Sequence, residues 1–103
     1  MTAISIRKET TPKGGRYVAT VDGKDGEAEL TFTNREVGKI TADNTHEPDS
    51  LRGTGVALAL VEQMIVDAHA NGHKIIPLCP YVQAQVKKHP AWQDVISSDK
   101  SDA

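Results

Sequence analysis

Three groups of residues in this 103-residue chain have the types and spacing to do chemistry. The first is the run Leu51-Arg52-Gly53-Thr54-Gly55-Val56-Ala57, where two glycines and an arginine stand at the start of the best helical pattern in the sequence. Glycine lets the chain turn tightly and lets a ligand approach the main chain. A helix start offers unpaired N–H groups and partial positive charge, which is an anion site, usually for phosphate. A tight turn with a solvated Arg52 is the plainer reading of the same residues. The run is neither a P-loop nor the dinucleotide fingerprint, whose third glycine would fall where Leu58 stands. The second group is Cys79, the sole cysteine, ahead of Pro80. A thiolate is a competent nucleophile where positive charge or a helix start lowers its pKa, and a free cysteine is equally a small buried hydrophobe. The third is Asp43 and Glu47, carboxylates in the polar stretch before the glycines, able to take a proton or simply to solvate or cap a loop.

The elements that must position these groups follow from periodicity. Residues 4–8 and 16–21 read as strands, with a loop from Glu9 to Gly15 punctuated by Pro12, Gly14 and Gly15. Residues 27–33 alternate cleanly. Ala28, Leu30 and Phe32 take one face, while Glu27, Glu29, Thr31 and Thr33 take a solvated one. A further strand is expected over 37–42, then a loop from Asp43 to Ser50. From residue 54 to 71 the period changes. Ala57, Leu60, Val61, Met64, Ile65 and Ala68 form one apolar stripe, closed by Asn71-Gly72. Lys74 to Cys79 reads as a short strand at an edge or bulge because of Pro77, Pro80 opens a helix to Lys88, and His89 to Ile96 forms a last turn packed by Trp92, Val95 and Ile96. The expected fold class is therefore α+β: an antiparallel meander, then a strand–glycine loop–helix–strand unit and a short C-terminal helix. The strand–helix–strand part implies parallel strands, with ligands at their carboxyl ends. If those strands are neighbours, the thiol and the anion loop share one cleft. Residues 1–96 are expected to be one domain and 97–103 a disordered tail.

Composition narrows the partners. Aromatics make up 4% of the chain and the formal net charge is −2, so neither stacking platforms nor a basic footprint for nucleic acid is expected. No apolar run approaches the roughly 20 residues of a membrane span. A single cysteine and no signal-peptide pattern point to the cytoplasm. No metal is expected: His69 and His73 are four apart, but Gly72 lies between them and no thiol or carboxylate is close in sequence. Both histidines read as surface residues, and His89 before Pro90 as the fixer of a turn.

Two motifs carry a family resemblance. Arg52-x-x-Gly55-x-Ala57 resembles the Arg/Gln-x-x-Gly-x-Gly/Ala acetyl-CoA loop of the GNAT acetyltransferase superfamily. Ile75-Ile76-Pro77-Leu78-Cys79-Pro80-Tyr81-Val82, with His89-Pro90 farther on, resembles the Pro-x-Cys-Pro-Phe/Tyr-Val…His-Pro signature of its minimal, single-domain YjdJ-like branch. The similarity runs from about Arg16 to Ile96. It implies a trimmed GNAT-like fold and binding of acetyl-CoA or CoA, with Arg52, Gly53, Thr54, Gly55, Val56 and Ala57 as cofactor-binding residues. One departure stands out: Asn44-Thr45 occupies the place where the family often has His-Thr, and Asn44 cannot act as a base.

The implied chemistry is acyl transfer to an amine, a small molecule or a protein lysine, with Glu47 or Asp43 as proton acceptor. Cys79 offers a second route, taking the acetyl group and passing it on. A CoA-binding module with little catalysis, or an interaction domain on the same fold, are the alternatives. So small a chain is expected to act as a monomer or weak dimer.

Overall fold

The computed structural model describes residues 3–97. Its first four strands are β1 (Ile4–Thr11), β2 (Gly14–Val21), β3 (Ala28–Asn34) and β4 (Lys39–His46). A 3-10 turn at Asp49–Leu51 precedes helix α1 (Val56–Asn71), and β5 (Lys74–Pro77), helix α2 (Pro80–Lys88) and a second 3-10 turn at Pro90–Val95 complete the chain. The five strands form one sheet in sequence order, antiparallel from β1 to β4 and parallel between β4 and β5.

The alternation in β3 does what its pattern predicts. Ala28, Leu30 and Phe32 are buried, and α1 lays Val56, Leu60, Val61, Met64, Ile65 and Ala68 over β2 and β3. A fully buried leucine such as Leu60 contributes about 2 kcal/mol. Ala57, expected in that stripe, is only half-buried, and Val56 takes its place. Gly72 caps α1, its N–H donating to the Ala68 carbonyl. Val82, Val86 and Val95 close the core beneath α2 and the last turn, with Trp92 and Ile96 packed against it. Ile96 bridges Ile75 alongside β5. Among the described residues no helix is long and apolar enough to cross a membrane.

The opposite face is held by charge. Arg16 bonds Glu9 at 2.7 Å and Glu29 at 2.6 Å, while Arg7 bonds Glu9 and Glu27. Such exposed pairs add little stability singly. Their aliphatic stems flank Val18, which lies between Arg7 and Glu29 in register and is only 1% exposed.

Boundaries differ from the sequence pattern: β4 starts at Lys39, leaving Val37 exposed in the turn before it, β5 ends at Pro77 rather than Cys79, and two further changes lengthen strands. The first hairpin is longer, with β1 reaching Thr11 and β2 starting at Gly14, so Gly14 and Gly15 are strand residues rather than loop. The Thr11 hydroxyl accepts the N–H groups of Lys13 and Gly14 and so closes a tight turn. The other change is that β4 runs on to His46 through a bulge, where a loop was expected from Asp43. Asp43 accepts Thr33 and Thr41 hydroxyls at 2.5 and 2.7 Å, and the Asn44 N–H donates to the Thr31 hydroxyl. Polar side chains do this pairing, so no apolar alternation marks the segment.

Between α1 and the sheet lies one buried polar contact. The Tyr17 hydroxyl donates to Asp67 at 2.6 Å, Gln63 donates to the other carboxylate oxygen, and the Lys8 ammonium is 3.4 Å away. Burial, then the Asp67 hydrogen bond, pushes the phenol pKa far above its ordinary value. Tyr17→Phe is expected to cost about 1 kcal/mol in urea unfolding, because it strips a donor from a partly buried carboxylate.

Candidate active site

The site begins where β5 leaves β4. The two strands pair from Lys39–Lys74 to Ala42–Pro77. Then the N–H groups of Leu78 and Cys79 both donate to the single carbonyl of Ala42, at 3.0 and 2.9 Å. That shared acceptor turns the chain out of the sheet and into α2, while β4 continues through Asp43–His46 without a partner on that side. A cleft therefore opens at the carboxyl ends of the two parallel strands.

One wall is the run before α1. The 3-10 turn ends with the Arg52 N–H on Asp49, and the Thr54 N–H and hydroxyl both bond the Leu51 carbonyl. Gly53 and Gly55 have φ of 79° and 85°, and a Cβ at either would meet nothing within 4 Å. Gly55 is the N-cap, no side chain caps the helix, and no acidic residue stands in its first turn. The first N–H groups of a 16-residue helix thus have no side-chain cap, and their dipole is unopposed by any carboxylate on that turn. Arg52 is exposed and ion-paired to Asp49 at 3.2 Å. The preceding turn is tied to the β2–β3 loop by the Ser50 hydroxyl, which donates to the Asp25 carbonyl. The run Arg52 to Ala57 thus joins two positive-φ glycines, an exposed arginine and an uncapped helix start.

The other wall is Cys79, the N-cap of α2. Its thiol is buried and stands 3.3 Å from the Thr45 hydroxyl. Burial pushes the thiol pKa up, but the Thr45 hydroxyl and the backbone of Val82, Tyr81 and Thr45 more than offset it, leaving the pKa below the ordinary thiol value. Pro80 offers no N–H, and the next residues of the helix supply the donors instead. The sulfur lies where β5 would have paired with β4. Tyr81, the second residue of α2, has its phenol pKa raised by burial and by the carboxylates of Glu47 and Glu62. Glu47 directly follows β4 and is half-buried.

The remaining candidates separate. Asn44 is exposed on β4, and His46 ends that strand, also exposed. Both carboxylate oxygens of Asp43 are held at the bulge, which makes it a structural anchor. His89 bonds the Gln85 carbonyl through Nδ1 and stacks on Trp92 at 4.0 Å, fixing the turn as expected. Lys87 and Lys88 sit exposed in the last turn of α2. His69 lies on the surface against Asp94. His73 departs from its expected surface position: its Nε2 is buried with no hydrogen-bond partner. Thr45 and Tyr81 are the site residues the sequence pattern did not single out. The parallel pairing of the strands ahead of them is the signal that could have found Thr45.

Burial, then the Lys8 charge, lowers the His73 pKa, with Asp67 opposing. The unfolded chain takes up that proton near pH 6.5, before the folded chain does. Stability is thus complete above about pH 6.5 and falls as pH drops toward the folded value. His73→Gln is expected to flatten the difference between unfolding midpoints at pH 7.5 and 5; an unchanged difference would remove His73 as its source.

Comparison with known proteins bears on the family and the fold. A sequence model described as GCN5-related N-acetyl-transferase matches residues 16–95. Among solved structures, a GCN5-like protein from Staphylococcus aureus, determined in solution by NMR, superposes with a TM-score of 0.67 at 24% identity. The match covers 93% of this chain and 92% of that one. At that identity the likeness speaks for the fold. A search of the curated proteins gives no match. With four-fifths of its length inside the family's sequence model, and with the same sheet and helices, the chain belongs to the GCN5-related N-acetyltransferase family.

Proposed function

We propose that this protein binds acetyl-CoA and transfers the acetyl group to a primary amine, on a small molecule or a protein lysine. The observation that carries the reading is the uncapped, glycine-lined start of α1, which opens at the same end of β4 as the Cys79 thiol. The N–H groups of Gly53, Gly55, Val56 and Ala57 would hold the pyrophosphate, with Arg52 as an adjacent cation and Thr54 fixing the turn through Leu51. The open edge of β4 and the thiol wall would receive the acyl end.

Cys79 is the acyl acceptor in the first half of the reaction. Its thiolate attacks the thioester carbonyl and the CoA thiolate leaves, so one thioester replaces another. The Thr45 hydroxyl and the amides at the start of α2 favour the charged sulfur. In the second half the amine attacks the acetyl-cysteine carbonyl, the Cys79 thiolate leaves, and Glu47 takes the amine proton through water. Direct attack of the amine on the bound thioester, with Glu47 again as base, is the simpler variant of the same site.

Calorimetry with acetyl-CoA tests the binding, and absence of heat would overturn the proposal. Mass spectrometry after incubation with acetyl-CoA tests the covalent route. An adduct of one acetyl group on Cys79 is expected. No adduct, together with normal turnover by Cys79→Ala, would remove Cys79 from the chemistry and leave direct attack.

A second reading, a CoA-binding module without transfer, is favoured by Asn44. An exposed amide stands where the resemblance would place a histidine, and no base replaces it at that position. Binding of acetyl-CoA with no acetyl transfer to polyamines, amino acids or lysine peptides would select this reading.

A further inference from the structure

The far end of the sheet carries a second concavity. Helix α1 ends and strand β4 begins there, so it lies at the opposite end of both elements from the run Arg52–Ala57. Two adjoining cavities, of about 240 and 370 Å³, share Asn34, Ile40 and His73 and so form one groove. We propose that this groove is a binding site for a small organic carboxylate with an apolar body.

Three observations point to that chemistry. The floor is apolar, made by Phe32 and Ile40, which are 7% and 8% exposed. The polar lining is rich in donors: Lys8 and Asn71 on one side, Arg35 and Lys39 on the other, with Glu36 the one carboxylate among the described lining residues. Lys8 and Lys39 each have an acidic partner, Asp67 at 3.4 Å and Glu36 at 3.2 Å. The Lys8 ammonium has three donors, and its one long contact to Asp67 leaves capacity for a ligand oxygen. Finally, the His73 Nε2 is buried without a partner. Buried polar atoms are nearly always bonded, so an orphan just behind the wall of a groove is a place where a ligand oxygen completes the structure once the imidazole turns outward. A carboxylate satisfies all three features. Its apolar body covers Phe32 and Ile40, one oxygen meets His73, and the other meets the Arg35 side, where a guanidinium can grip it in a planar fork.

The groove is independent of the acyl-transfer reading, and its test is read separately. The full-length protein, labelled with nitrogen-15, is titrated with sodium benzoate and, in parallel, with benzyl alcohol. Saturable shifts are expected at Asn34, Arg35, Gly38, Asn71 and His73, together with a change in the His73 imidazole nitrogen resonance. Benzyl alcohol should bind about tenfold more weakly or worse, and Arg35→Gln should weaken benzoate about fivefold. Arg35 lies on an exposed turn, so this variant keeps the test open even where His73→Gln folds poorly. Equal binding of benzyl alcohol, indifference to Arg35→Gln, absence of saturation, or shifts confined to residues 52–57 would each overturn the proposal.

Discussion

Gly55→Glu is expected to abolish acetyl-CoA binding in calorimetry, a loss of more than about 100-fold. Two effects add. The new side chain enters the open space beside Gly55, and its carboxylate stands where the helix start should meet phosphate. The substitution also places a non-glycine residue at φ 85°, costing about 1–2 kcal/mol of fold stability. The protein should therefore remain folded by circular dichroism with a modestly lower melting temperature. Gly55→Ala separates the effects: it carries the same backbone strain without the charge, and should lose much less affinity. If Gly55→Glu binds as wild type does, this helix start is not the pyrophosphate site.

The largest stability effect is expected at Gly15. A Cβ there would stand 2.2 Å from the Glu9 carbonyl oxygen and 3.0 Å from the Thr10 Cα, both backbone atoms of the paired strand. Neither can swing aside as a side-chain tip would, so the hairpin must shift apart. Gly15→Ala should cost about 3 kcal/mol, lowering the melting temperature by roughly 12–24 °C for a domain of this size. Gly14 meets the same obstacle from its other neighbour, since a Cβ would lie 2.2 Å from the Phe32 carbonyl oxygen. By contrast, alanine at Gly23, where nothing lies within 4 Å, pays only for its positive φ. Thermal melts of the three variants check the ranking; equal losses would mean that backbone conformation, not close approach, decides it.

The two glycines also show why parts of the fold could be read from sequence and others not. The elements with a clean period, β3 and α1, announce themselves, since Leu30 and Leu60 must both be buried and only one register does it. Gly14 and Gly15 read as loop because glycine usually signals one, and their need for close strand approach is invisible until the strands are paired. Residues 43–46 fail for a related reason: the hydroxyls of Thr31, Thr33 and Thr41 build the bulge, and polar chains leave no period. At the candidate site, the uncapped glycine start of α1 and Cys79 were legible, one by residue type at a helix start and the other by rarity. That both follow the carboxyl ends of parallel strands came from the crossover. The Thr45–Cys79 contact was not legible, because it depends on how two N–H groups share the Ala42 carbonyl. His73 shows the opposite failure, a polar residue after a helix cap that looks solvated and instead turns an imidazole nitrogen inward.

Strand order that follows sequence order has a consequence for how the molecule assembles. Each antiparallel pair joins neighbours along the chain through a short connection, so the meander from β1 to β4 closes small loops and can form early. Only the β4–β5 pair must wait for the whole of α1 to lie down between its partners. The cleft is thus built by the least local pairing in the chain. It should be the last part to form in refolding and the first to open in native-state hydrogen exchange, with the amides of Leu78 and Cys79 exchanging ahead of those of β2 and β3.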